Sequence, residues 1–189
     1  VQVACGGGAE EHHTAIVTQE GGLLTFGSGA SGQLGQDNNQ NLPLPVPVFG
    51  LDHVKVASVA CGSAHTLANT RDGALFAFGW GHFGQLGIGS TTNTCSPVHV
   101  AALEKMRVTR MACGSAHSVV TTDTGKVFAW GWGVNGQLGH GDDSTLLLPT
   151  QVKRLDNVYV SSISCGLAHT VAISEVDKQV YTWGWDEYG

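Results

Sequence analysis

The stretch Val108-Thr-Arg-Met-Ala-Cys-Gly-Ser-Ala-His-Ser-Val-Val-Thr-Thr-Asp-Thr-Gly-Lys-Val-Phe-Ala-Trp-Gly131 decides the fold, because its pattern of residue types recurs along the whole chain. The histidine that follows each Cys-Gly pair falls at His13, His65, His117 and His169, a constant step of 52 residues. Three copies of Gly-Gln-Leu-Gly begin at Gly32, Gly84 and Gly136 with the same step. A fixed period near 50 residues built from short strand-like runs is the mark of a propeller array.

Each unit reads as four short β segments, which in the third unit are 97–100, 108–113, 117–121 and 126–130, with Asp123-Thr-Gly125 as a hairpin turn. These runs of β-branched, aromatic and small residues lie between glycine signals, and no window sustains a helical period. The opening segments begin at Pro45, Pro97 and Pro149. Proline is tolerated at the first residue of a strand, where no ladder hydrogen bond is lost. The units are therefore 1–44, which lacks its first strand, then 45–96, 97–148 and 149–189. Two loops break the period. Cys5 and His13 are eight residues apart rather than four, and the hairpin at 174–178 is one residue longer than its equivalents. If each unit is an up-and-down blade, the Cys-Gly-x-Ala-His turn shares a face with the loop Gly79-Trp-Gly-His-Phe-Gly-Gln-Leu-Gly87 and its copies. The Asp-Gly hairpins then lie on the opposite face.

Composition agrees with a turn-rich all-β chain: of 189 residues 42% are hydrophobic, only 13% are charged, and 27 are glycine. A net charge of −6 gives no broad basic field for a phosphate backbone, so direct nucleic-acid binding by this segment is not expected. No apolar run approaches the ~20 residues of a membrane span, so no membrane insertion is expected. Five cysteines are an odd number, and Cys5, Cys61, Cys113 and Cys165 share one repeat position inside apolar runs. That is core usage, which points to an intracellular, reducing compartment. The chain opens in mid-repeat at Val1-Gln-Val-Ala-Cys-Gly6 and stops at Tyr188-Gly189, just where another Gly-Gln-Leu-Gly is due. Further sequence is expected beyond both ends.

The pairs Cys61/His65, Cys113/His117 and Cys165/His169 are metal-ligand residue types, but each belongs to a different unit. A zinc site needs about four ligands converging at ~2.0–2.3 Å, so no metal is expected. Cysteine is read instead as a small buried hydrophobe and the histidine as a donor to backbone across the turn. The glycine-rich loops lack Gly-Lys-Ser/Thr and a following helix, which excludes a phosphate cradle. Gln33, Gln85 and Gln137 are expected to bond within their own loops. No serine, histidine and acid combination suggests a triad, and Asp142-Asp143 and Glu10-Glu11 read as solvated loop charge. No catalytic residue and no cofactor are assigned.

Positions alike in every unit report what every unit must do, which is fold; unlike exposed positions are free to encode a partner. In the loop after the fourth strand the first unit has Ser28, Ala30 and Ser31. The second has Trp80, His82 and Phe83, the third Trp132, Val134 and Asn135, and the last Trp185, Asp186, Glu187 and Tyr188. Such aromatic rims match the residues that dominate protein-binding hot spots; the recurring tryptophans read first as packing between blades, and the more variable His82, Phe83, Val134 and Asn135 as the better candidates. The expanded loop with Glu10, Glu11 and His12 joins them as a candidate partner-binding element.

The pattern Val59-Ala-Cys-Gly-Ser-Ala-His-Thr66, then Gly73-Ala-Leu-Phe-Ala-Phe-Gly-Trp-Gly81, then Gly84-Gln-Leu-Gly-Ile-Gly89 resembles the repeat of the regulator of chromosome condensation (RCC) family. The resemblance covers the whole chain. It implies a β-propeller of seven four-stranded antiparallel blades, of which about 3.6 units, or about half, are present. Ring closure then needs residues outside this window or another chain. Members of the family include an exchange factor for a small nuclear GTPase that docks on histones, UV-B receptors, ubiquitin-ligase subunits and scaffolds. The resemblance implies a non-catalytic protein-interaction module or scaffold, with a regulator of a small GTPase or a propeller attached to a ubiquitin ligase or other catalytic domain as alternatives. The UV-B receptors carry Gly-Trp-Arg-His-Thr before the repeated histidine. Here Gly62-Ser-Ala-His65, Gly114-Ser-Ala-His117 and Gly166-Leu-Ala-His169 lack that tryptophan and arginine.

Overall fold

The structure is a computed structural model, and it describes residues 1–8 and 12–187. Four antiparallel sheets follow one another along the chain. The first contains β1 (Gln2–Gly7), β2 (His12–Val17), β3 (Leu23–Gly27) and β4 (Leu42–Pro47), and the second β5 (Val56–Cys61), β6 (His65–Thr70), β7 (Leu75–Gly79) and β8 (Thr94–His99). The third contains β9 (Val108–Cys113), β10 (His117–Thr122), β11 (Val127–Gly131) and β12 (Leu146–Gln151), and the fourth β13 (Val160–Cys165), β14 (His169–Ser174) and β15 (Val180–Gly184). Only two single turns of 3-10 helix, Ala101–Leu103 and Lys153–Leu155, interrupt the β structure among the described residues.

Strand order within each sheet is sequential, as an up-and-down blade requires. One expectation needs correction. The segments at 45–48, 97–100 and 149–152, read as openers of a unit, pair with the strand before them: Val100 N donates to Leu75 O at 2.8 Å, and Phe76 faces His99. The blades are therefore shifted by one strand relative to the sequence units. The sheet with three strands is the last one, and the first has its full four.

Both faces of each inner sheet are covered by a neighbour, so β6 and β10 are buried at every residue instead of alternating. Three separate cores result, one at each junction between sheets. Phe78 and Val59 centre the first, Leu86 and Trp130 the second, and Leu138 and Val152 the third. Close approach is enforced by glycine at a fixed place. Gly79 and Gly131 end β7 and β11 with φ of 108° and 98°, opposite His65 and His117. A Cβ there would lie 2.5 and 2.6 Å from the carbonyl oxygens of Ala64 and Ala116, which no side chain could occupy. The hairpins before β3, β7 and β11 turn on Gly21, Gly73 and Gly125 at positive φ, whereas in the hairpin that is one residue longer, between β14 and β15, Lys178 takes the positive φ, at 57°.

Candidate protein-docking face

The turns after β5, β9 and β13 and the loops after β7, β11 and β15 emerge at the same end of their sheets. Trp80 N donates to Ala64 O and Trp132 N to Ala116 O, both at 2.8 Å, which fastens each loop to the turn beside it. Beneath this end runs a buried layer of clamps between sheets. His13, His65 and His117 place Nε2 at 2.9, 3.0 and 3.1 Å from the hydroxyls of Thr66, Ser118 and Thr170 in the next sheet. Each hydroxyl donates in turn to the backbone carbonyl of Gln33, Gln85 or Gln137 at 2.8–2.9 Å. A carbonyl only accepts, so the single hydroxyl proton is committed to it and the hydroxyl must accept from the imidazole. This fixes the Nε2–H tautomer and leaves Nδ1 bare. All three Nδ1 atoms are buried without a partner. Burial disfavours the charged ring, holding His13 and His117 down at about 4 and His65 at about 3, so the clamps are neutral at pH 7.

The sequence expectation that these histidines bond backbone across their own turn is corrected: the acceptor is a side-chain hydroxyl of the neighbouring sheet. The signal was available, since Thr14, Thr66, Ser118 and Thr170 put a hydroxyl after every repeated histidine. His169 holds the same place in β14 and is exposed. The thiols adjoin this layer: Cys61, Cys113 and Cys165 stand opposite the clamp residues Thr66, Ser118 and Thr170 in their ladders and interact with those side chains. Burial pushes Cys61 and Cys165 up to about 12 and holds Cys113 well above the usual thiol value, so they are neutral and unreactive. All five cysteines are free. Among the described residues no three His, Cys, Asp or Glu side chains are grouped so as to hold a metal ion.

The loop backbone is pinned from below. Gln85 Oε1 accepts from Phe83 N and Gln137 Oε1 from Asn135 N, both at 2.9 Å, and Gln33 Oε1 accepts from Ser31 N at 2.8 Å. Asn41 and Asn93 accept from Gly29 N and Gly81 N at 2.9 and 3.0 Å, a brace that sequence reasoning did not find. The Trp130 and Trp183 indoles donate to the same carbonyls, Gln85 O and Gln137 O, that the clamp uses.

On this support the unlike side chains form the outer surface. Trp80 and Phe83 meet edge to face with centroids 5.3 Å apart, and Phe83 reaches across the sheet junction to Trp132 at 5.8 Å. His82, exposed, stacks edge-on against Trp80 at 5.8 Å. Trp80 and Trp132 are half-buried, so they both line the surface and cover the junction. Val134 is 48% exposed and Trp185 47%, with Asn135 half-buried and Glu187 exposed on the same side. His12 is exposed at the start of β2. Glu10, Glu11 and Tyr188 lie outside the described residues. The structure thus joins four of the candidates, Trp80, His82, Phe83 and Trp132, into one string of rings.

Comparison with known proteins places this geometry. The profile of the RCC1-like domain matches residues 1–189. The ultraviolet-B receptor UVR8 of Arabidopsis thaliana is 35% identical over 188 residues, covering 100% of this chain and 42% of the receptor. The E3 ubiquitin-protein ligase HERC2 of Homo sapiens is 36% identical over 186 residues, which are 97% of this chain and 4% of the ligase. In a crystal structure of yeast RCC1 (Prp20) bound to Kap60, the RCC1 chain superposes with a TM-score of 0.81 at 28% identity, over 97% of this chain and 43% of that one. The chain spans less than half the length of each of these relatives. Matched along its entire length by sequence profile and over 97% of it by blade architecture, it belongs to the RCC1-like propeller family.

Proposed function

We propose that this segment is a non-catalytic protein-docking part of a larger RCC1-like propeller, and that its contact surface is the face carrying Trp80, His82, Phe83, Trp132, Val134 and Asn135. The observation that carries it is the string of rings from Trp80 through Phe83 to Trp132, held outward on a backbone that the buried glutamines fix. Rigid aromatic side chains on a preordered backbone lose little entropy on binding, which is why they dominate protein interfaces. A non-catalytic role is supported by where the reactive residue types are spent: the imidazoles serve as neutral clamps and the thiols are kept protonated. Five free cysteines suit a reducing compartment. Alanine at His82, Phe83, Val134 and Asn135 together is expected to weaken partner capture by the full-length protein with its thermal midpoint unchanged. Undiminished capture would remove this face from consideration.

The likeness to yeast RCC1 favours a second reading, a regulator of a small GTPase that promotes nucleotide exchange. Nucleotide release from a panel of small GTPases by the full-length protein tests it. Acceleration of none of them rejects the second reading and leaves the docking role standing.

A further inference from the structure

Where the first three sheets converge, residues of β1, β5, β6 and β9 line a cavity of about 350 Å³. Arg110 is the one charged residue in its wall. Arg110 is exposed, and its Nη1 donates at 3.4 Å to the carbonyl of Thr109, which lines the same cavity. No carboxylate pairs with it, since the salt bridge found among the described residues is Lys178–Glu175. The wall also holds Asn69, only 4% exposed. Its Nδ2 donates to Val108 O at 3.0 Å; a carbonyl only accepts, so this bond settles which way the carboxamide is turned. Oδ1 is then a buried acceptor with no partner.

The fold itself asks for neither residue. Gln2, Ser58, Arg110 and Ser162 hold one ladder position, opposite Val17, Asn69, Thr121 and Ile173. The cation and the carboxamide each occur once in this series, and the stacking of the second and third sheets brings them to one cavity. The other orphaned ring and carboxamide atoms recur from unit to unit, Nδ1 in His13, His65 and His117 and Nε2 in Gln85 and Gln137, whereas Asn69 Oδ1 has no counterpart. A buried acceptor without a donor costs stability, a cost that Val17 and Ile173 avoid at the same place.

We propose that this cavity binds a small hydroxycarboxylic acid, its carboxylate on Arg110 and its hydroxyl donating to Asn69 Oδ1. A guanidinium matches a carboxylate in shape and charge, and a single cation suits a singly charged carboxylate better than a phosphate dianion. The donor must be neutral, because no Asp or Glu lines the cavity to meet an ammonium. Val59 and Met111 supply an apolar wall for the carbon skeleton. The site shares no residue with the aromatic face and does not depend on the docking role.

Titration of the full-length protein with the positional isomers of hydroxybutyrate, read by saturation-transfer NMR, tests the proposal, with butyrate and butanediol as controls. At least one isomer is expected to bind with a Kd of about 1 mM or tighter. Butyrate, which lacks the donor, and butanediol, which lacks the anion, should each bind about tenfold more weakly. Arg110→Gln, at an exposed position where folding is not at stake, should weaken the isomer about tenfold, and Lys153→Gln should leave it unchanged. Asn69→Val, which copies Val17 of the first unit, should erase the preference for the isomer over butyrate. Absence of binding by every isomer at about 10 mM overturns the proposal. So does butyrate binding as tightly as the best isomer, which would leave Asn69 Oδ1 unused, and so does an Arg110→Gln protein that binds undiminished.

Discussion

Phe83 and Gln85 stand two residues apart on one loop and belong to different layers of the molecule. Gln85 is fully buried, its Oε1 holds Phe83 N, and its carbonyl receives both Ser118 and Trp130. Phe83 spends its backbone on that glutamine and turns its ring outward to Trp80 and Trp132. Below lies a layer repeated in every described junction; above it lies a layer in which Ser31, Phe83 and Asn135 occupy one position. The contrast shows how a repeat protein separates its tasks. Buried bonds across a junction tie each residue to a partner in the next sheet, while side chains above them can change without breaking those bonds.

If the lower layer is the structural one, disturbing it should cost far more stability than disturbing the upper. The largest effect should come from acid. His13, His65 and His117 have folded pKa values near 4, 3 and 4, below the unfolded value of 6.5, so the unfolded chain takes up protons first as pH falls. Stability is full above pH 6.5 and declines below it, by about 2 kcal/mol per histidine between pH 7 and pH 5. Urea midpoints measured at pH 7, 6 and 5 would show this, and a flat profile would refute neutral clamps. Next comes Trp130→Ala, which empties a fully buried site and removes a donor to Gln85 O; a loss of about 3–5 kcal/mol is expected in denaturant unfolding. Ser118→Ala leaves the His65 Nε2–H without its acceptor in a buried place and should cost about 1–3 kcal/mol. Smallest of all, Val134→Ala on the exposed loop should shift stability by less than about 0.5 kcal/mol.

The sequence carried the period, the strand-rich units and the division into two faces, because glycine and hydrophobic positions repeat at a constant step. It did not carry the grouping of strands into sheets. β8 lies closer in sequence to β9, across 100–107, than to β7, across 80–93, yet its ladder is with β7. Repetition alone does not say where one sheet ends. The acceptors of the clamp were hidden for a related reason: His65 and Ser118 are 53 residues apart, in different units, and meet only when neighbouring sheets stack. Phe83 and Trp132 likewise meet across a junction, so the aromatic residues were legible one loop at a time while their continuity was not.

The division between layers is tested most directly by measuring thermal midpoint and partner capture by the full-length protein side by side on two variants, Ser118→Ala and Phe83→Ala. The account predicts that Ser118→Ala lowers the midpoint and, while folded, binds as the unmodified chain does, whereas Phe83→Ala keeps the midpoint and loses affinity. A Phe83→Ala chain that melts early, or one that binds undiminished, would contradict it.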